Sequence, residues 1–497
     1  MSLDEWLFLI FKYVLYFIVI STIIIMKSNY LLRFSFLLGL CILVKSFVIN
    51  AQTEKWQTKV GAKIFPSVTK LFVVKHTKST DYTATIQGVI DECSAKGGGI
   101  VAFQSGNYLI GSVFLKNNVH LRIDKGVKLL GIQKESAYKL IKTRVAGVEL
   151  TWPAAMLNVI GQKNVAISGK GIINGQGKYF WDKFWALVPD YQKKGLRWAV
   201  DYDCQRPRGI LVQESSQVTL KDFTIQEPGF WTVHLLYSKN VTVDGIVIQN
   251  NIHGHGPSSD GLDIDSSSEI LIQNCDIDCN DDNFCLKAGK DADGLRVNRV
   301  CENILIRNCV SRAGHGLLTF GSETSGGIRN IEAYNLKAQG TLYGIRLKSA
   351  KTRGGIIENA YIHDIEMNDV FVPIYGSLNW YPLYSYSILP EGLKEIPEHW
   401  KILSEKVPEE KGIPTFRNFV IENLHAVKSG SAIELEGLEN SYLDNFVLRN
   451  CKIDCKRPGF VKYASNWLFD KIEINALSNE DITEDKCKNN RWVYKDK

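Results

Sequence analysis

One pattern recurs along the chain: an apolar residue, any residue, an apolar residue, two more residues and a third apolar one. It appears as Val218-x-Leu220-x-x-Phe223, Val241-x-Val243-x-x-Ile246, Ile270-x-Ile272-x-x-Cys275 and Ile304-x-Ile306-x-x-Cys309. It continues as Ile331-x-Ala333-x-x-Leu336, Ala360-x-Ile362-x-x-Ile365, Phe419-x-Ile421-x-x-Leu424 and Phe446-x-Leu448-x-x-Cys451. The starts are separated by 23, 29, 34, 27, 29, 59 and 27 residues. Alternation over three or four residues describes a short strand with one buried face. The pair that follows, such as Arg307-Asn308 or Glu422-Asn423, is turn chemistry. Strand–turn–strand units returning at such spacings are the mark of a solenoid. No coil buries its inner face alone, so coils stack in parallel around a shared core. The expected fold is therefore all-β, a right-handed single-stranded parallel β-helix. A propeller would need four antiparallel strands per blade, and helical periodicity is nearly absent from this region.

The rest of the chain is organised around this repeat. Residues 52–117 are expected to form an N-terminal cap and the first coils, with an amphipathic helix over 85–93 closed by Gly97-Gly98-Gly99. Such a helix covers the open end of the stack, which is otherwise an unpaired edge. Residues 118–470 are expected to form the main β-helix, and 471–497 a C-terminal tail. Two segments, 178–206 and 373–415, do not fit the repeat and are rich in Trp and Tyr, as expected of long loops over one face. Their aromatic side chains either offer stacking faces to a ligand or pack the loops onto the solenoid.

Residues 1–51 hold two apolar stretches. A segment starting at Met26, with Lys27 and Arg33 at its head and Ile49-Asn50-Ala51 at its end, has the layout of a secretory signal. The expectation is a secreted or periplasmic protein that keeps no membrane span after processing; an anchor formed by residues 6–25 is the alternative. Eleven cysteines occur, one of them, Cys41, within the signal-like segment. Cys275, Cys309 and Cys451 occupy one repeat position, as small apolar residues stacked inside the fold do. Cys275, Cys279 and Cys285 lack zinc-site spacing, so no metal and no cofactor is expected. Net charge is +6 without a long Lys/Arg run, which does not point to nucleic acid and suits an acidic polymer. A monomer is expected.

The chemistry-bearing residues fall on neighbouring coils. Residues 258–265 read Ser-Ser-Asp-Gly-Leu-Asp-Ile-Asp and 280–287 read Asn-Asp-Asp-Asn-Phe-Cys-Leu-Lys. Asp260 and Asp281 are 21 residues apart, about one coil, which places Asp260 one layer from Asp281 and Asp282. Crowded like charges raise some carboxyl pKa values, so such a cluster offers both a protonated and an ionised carboxyl, as glycoside hydrolysis requires. Gly314-His315-Gly316 lies on the next coil and Arg346-Leu347-Lys348 on the one after. Arg346 and Lys348 alternate and so share a side of their strand, where an arginine fork suits a carboxylate ligand. Each motif alone is more often a capped turn or a solvated edge. Their joint placement carries the functional reading. Asp263, Asp265, Asp291 and Asp293 are assigned to structure.

This order of motifs resembles glycoside hydrolase family 28, the polygalacturonase family, which carries Asn-Thr-Asp, Gly-Asp-Asp, Gly-His-Gly and Arg-Ile-Lys in the same sequence. The resemblance spans roughly residues 60–465. It implies a pectin-lyase-like solenoid, Asp281 as general acid, and Asp260 with Asp282 as the pair that activates water, with inversion. It further implies that His315 supports the acid and that Arg346 and Lys348 bind a uronate carboxylate. Ser258, Ser259, Asn280 and Leu347 depart from the pattern without removing a charge. The long stretch Lys287–Arg299 and the two aromatic segments resemble the bacterial exo-acting branch. The implied substrate is α-linked galacturonic acid in pectin; rhamnogalacturonan or another uronic-acid glycan is the alternative. A pectate lyase and a non-catalytic glycan-binding β-helix stand further off.

Overall fold

A computed structural model describes residues 56–63, 69–393, 395–478 and 480–493. The signal-like segment lies outside these residues. Among them, no helix is long and apolar enough to cross a membrane.

The chain winds into a right-handed parallel β-helix whose strands form one continuous parallel ladder system. The eight repeat starts stack one on another. Val218 pairs with Val241, Val241 with Ile270, Ile270 with Ile304, and Ile304 with Ile331. Ile331 pairs with Ala360, Ala360 with Phe419, and Phe419 with Phe446. All eight side chains are buried, within one core cluster that runs the length of the solenoid and contains Cys275, Cys309 and Cys451. The ten cysteines of the described residues are free, and all but Cys487 are buried.

The turns are as regular as the strands. Asn303, Asn330, Asn359, Asn418 and Asn445 all adopt positive φ, the left-handed region in which asparagine is enriched among non-glycine residues. Their amides hydrogen-bond along the stack: Asn330 to Asn303 at 3.0 Å, Asn418 to Asn359 at 3.1 Å and Asn445 to Asn418 at 2.7 Å. One residue type thus makes the sharp bend and satisfies its own amide in the preceding coil.

At the N-terminal end, the helix Thr83–Ala95 buries Ile86, Ile90 and Cys93 against the strands Leu71–Val74 and Gly99–Phe103. At the other end the ladder continues beyond residue 470. Glu473–Ala476, Thr483–Asp485 and Arg491–Val493 pair in parallel with earlier strands, and Phe469 stacks on Trp492 at 3.9 Å. Within the segment read as a tail, residues 473–476, 483–485 and 491–493 add to the coils, and Ile474 and Trp492 extend the core.

Three insertions leave the solenoid. Segment 178–206 contains the helices Lys178–Lys193 and Val200–Asp203; the segment expected at 373–415 leaves only after the ladder strand Val372–Ser377 and contains Pro382–Ser385, Glu398–Leu403 and Glu409–Gly412. The third, Lys287–Arg299, holds the helix Asp291–Val297. An antiparallel hairpin, Leu140–Val145 with Val148–Pro153, had no signature in the repeat. The insertions carry their own apolar packing. Trp152, Trp198, Tyr202, Phe230, Trp231 and Trp400 form a cluster separate from the main core.

Candidate active site

The insertions bury one outer face of the helix. The strands Leu262–Asp265, Phe284–Lys287 and Gly316–Phe320 are buried on both faces. Their outward column runs through His234, Asp263, Cys285, Thr319, Arg346 and Tyr375, one residue per coil. Polar residues that would meet solvent on a bare solenoid are here enclosed by protein.

The structure brings the sequence-derived residues together. Asp260, Asp281 and Asp282 each present a carboxylate oxygen within 4.8 Å of the others. The coil register explains this: Gly261 donates its amide to the Asp282 carbonyl at 2.9 Å, and His315 donates its amide to the Asp281 carbonyl at 2.9 Å. His315 Nδ1 lies 3.2 Å from Asp281 Oδ1. Arg346 Nη1 reaches Asp282 Oδ1 at 2.8 Å and Lys348 Nζ reaches Asp282 Oδ2 at 2.6 Å. The two cations read as substrate ligands therefore take Asp282 as their first partner. Asp282 itself is fully buried.

These contacts divide the charges. Burial pushes Asp260 well above the usual carboxylate range, and neighbouring Asp281 and Asp263 push it the same way. Burial acts likewise on Asp282, but Lys348 and Arg346 outweigh it and hold that carboxyl far below the usual range. For Asp281, burial is outweighed by His315, and the net shift is downward. Asp281 in turn raises His315 against its own desolvation. The neighbours thus favour a proton on Asp260 and His315 and negative charge on Asp281 and Asp282.

Two buried residues beneath the cluster escaped the sequence reading. Lys287 Nζ lies 3.1 Å from Glu323 Oε2, 3.6 Å from Asp263 Oδ1 and 3.8 Å from Asp260 Oδ2, over the Trp231 ring. Lys287 could have been found from its register, since it shares an outward column with Asp265. Glu323 carried no such signal. Asp265 itself pairs with Arg144 at 2.9 Å, and Asp291 pairs with Arg353. The carboxylate groups Asp260–Asp281–Asp282 and, with Cys285, Asp260–Asp263 have the proximity of a metal donor set. The ammonium of Lys287, with Arg346 and Lys348, already supplies cations to these oxygens, so the residues present fit a bound metal poorly.

The site opens into a cavity of about 310 Å³. Asp260, Asp281, His315, Arg346 and Lys348 line it, Asp282 lies behind its wall, and both aromatic insertions contribute to it, the first through Arg197 and Asp201 and the second through Trp380, Tyr381 and Tyr384. The aromatic residues of the insertions take two kinds of position. Phe180, Trp181, Phe184 and Trp198 are buried packing, while Trp380 and Tyr381 face the cavity.

The family profile of Glycosyl hydrolases family 28 matches residues 93–382, more than half of the chain and all four motifs. The chain belongs to that family. A probable polygalacturonase of Vitis vinifera is 27% identical over 296 residues, 57% of each chain, so the match spans little more than half of that relative. An endo-polygalacturonase of Pectobacterium parmentieri is 29% identical over 60% of this chain and 71% of its own. An exo-poly-alpha-D-galacturonosidase of Dickeya chrysanthemi is 24% identical over 80% of this chain and 68% of its own. The structure of an exopolygalacturonase from Thermotoga maritima superposes with a TM-score of 0.66 at 24% identity, covering 87% of this chain and 95% of that one. Family 28 membership makes this chain a glycoside hydrolase and accounts for a solenoid that carries acidic residues on successive coils.

Proposed function

We propose that this family 28 enzyme is an exo-acting hydrolase that releases α-linked galacturonic acid from pectin or pectic oligosaccharides by single displacement with inversion. The observation that carries the reading is the cavity. Two separate insertions wall the aspartates into about 310 Å³, at the small end of the roughly 300–1,000 Å³ typical of small-molecule sites. That volume suits one end of a sugar chain better than the passage of a polymer. The positive charge of Arg346 and Lys348 on its wall suits a uronate. The Dickeya relative, which matches along most of this chain, is named for exo action. Export through the N-terminal apolar segment belongs to the same proposal, because a plant polymer is met outside the cell.

In this reading Asp281 gives the leaving oxygen the proton it shares with His315, and Asp260, ionised and with Asp282 behind it, takes a proton from water; that ionised form is the one burial and Asp281 disfavour. The carboxylates stand closer than the roughly 6.5–9.5 Å usual in inverting enzymes. Inversion is favoured instead by Asp282 having both oxygens engaged, which leaves it ill placed to attack a sugar carbon. A second assignment, with Asp260 as the acid, is favoured by the upward shift of its carboxyl. The test is product analysis on oligogalacturonides by chromatography, with the anomer followed by proton NMR. Monogalacturonate released as the β-anomer is expected. A ladder of mid-sized oligomers would end the exo reading, retained configuration would end inversion, and an unsaturated, ultraviolet-absorbing product would mean a lyase.

A further inference from the structure

Arg197 belongs to no motif of the repeat. It lies on the first aromatic insertion, and its side chain is one-fifth exposed on the cavity wall. Its Nη1 donates to Asp201 Oδ2 at 3.1 Å. Asp201 is shared: Oδ1 accepts Arg206 Nη2 at 2.8 Å and Ser258 Oγ at 2.8 Å. Arg206 is wholly buried, between the rings of Phe184 and Phe230. Two guanidinium groups therefore share one carboxylate, and the trio carries a net positive charge. Only Arg197 of the two lines the cavity. Its guanidinium is oriented from both insertions, 5.2 Å from the Tyr384 ring centroid and 6.0 Å from that of Phe184, so little ordering remains on binding.

The same arrangement recurs at Asp282, on later coils. Arg346 and Lys348 share Asp282, again two cations on one carboxylate. In coil order the Asp201–Ser258 contact comes first, Asp281 next, His315 after it, and Arg346 last. Lys287 and His315, the other cavity cations, are each engaged with acids of the site. We propose that Arg197 reads the carboxylate of a second uronate, on the sugar across the scissile bond from the one met by Arg346 and Lys348. The enzyme then requires acid groups on both sides of the cut, with Asp201 as the positioning residue that aims Arg197. This inference rests on the proposed hydrolysis of galacturonides and deepens it.

Binding decides the matter without turnover. In an Asp281→Asn background, three disaccharides are titrated by calorimetry: digalacturonate and the two analogues in which one ring or the other is galactose, its carboxylate replaced by a hydroxymethyl group. Arg197→Ala is expected to weaken digalacturonate and one mixed analogue by about tenfold or more, as befits a lost charged hydrogen bond, and to leave the other analogue within about twofold. Arg197→Lys should fall between, keeping the charge without the fork. Thermal unfolding of each variant separates loss of ligand from loss of fold. Equal weakening of both mixed analogues, no weakening of either, or no digalacturonate binding with Arg197 intact would each overturn the proposal. Hydrolysis of trigalacturonate by the unaltered enzyme is measured alongside. Its absence would sink the activity and leave the carboxylate site standing or falling on the titrations.

Discussion

The imidazole of His315 lies 3.2 Å from the carboxylate of Asp281, and each group moves the proton affinity of the other. Asp281 raises His315 above its ordinary value, so the proton on the pair persists above about pH 6.5 and leaves as pH rises through the shifted value. If that proton reaches the leaving oxygen, kcat/KM on trigalacturonate declines on an alkaline limb above about pH 6.5. His315→Gln is expected to move that limb to lower pH, since the proton must then be held by a carboxyl alone. A limb that stays in place would remove His315 from proton delivery.

Which carboxyl is the acid is settled by the leaving group. An acid is needed less when the departing group is a weak base. With an oligogalacturonide, Asp281→Asn should lower kcat by about 10²–10⁴, the usual worth of general acid catalysis. With a nitrophenyl galacturonide, most of that activity should return. Recovery in Asp260→Asn instead of Asp281→Asn would transfer the role to Asp260.

Asp282 makes acid stability depend on its two cations. Its folded pKa is depressed against burial by Lys348 and Arg346. It therefore contributes stability that is present above the unfolded value near about 3.9 and is lost as pH falls through the folded value. Lys348→Met weakens that depression, so acid unfolding, followed by circular dichroism, should begin at higher pH than in the parent. Asp282→Ala strands two nearly buried cations and should cost about 3–5 kcal/mol at neutral pH, measured by denaturant titration. A loss below about 1 kcal/mol would mean that Arg346 and Lys348 find other partners.

The cysteines offer a cheap check on the fold. All ten in the described residues are free, and the solenoid is held by its core and ladders. The melting temperature should be the same with and without a strong reductant. A drop on reduction would show that disulfides form in solution.

The solenoid was legible because its signal is local. Val218 to Phe446 mark the buried position of each coil by alternation alone, and the structure stacks those eight residues in register. The meeting of Asp260 with Asp281 and Asp282 followed from a spacing of one coil. What stayed hidden depends on distant segments. Lys287 and Asp263 sit at outward positions that alternation assigns to solvent, and they are buried only because the insertions cover them. Arg197 and Asp201 lie inside a helical insertion that shares no period with the repeat, so nothing in their spacing points toward Ser258. Residues 471–493 read as a tail because their strands are three or four residues long, too short to declare a period.

The ladder that joins Leu262–Asp265 to Phe284–Lys287, the strands that follow Asp260 and Asp282, has a wider consequence. Neighbouring parallel strands keep a spacing of about 4.7–4.9 Å whatever side chains they bear, and the asparagine turns lock that pitch from coil to coil. The spacing between the backbones that carry the carboxylates is thereby quantised: a mutation can exchange the group on a rung, or move it by a whole rung, but does not shift the rungs by small steps. In such a scaffold the reaction geometry is inherited as a fixed gauge, and evolutionary change is channelled into the segments that leave the solenoid between rungs.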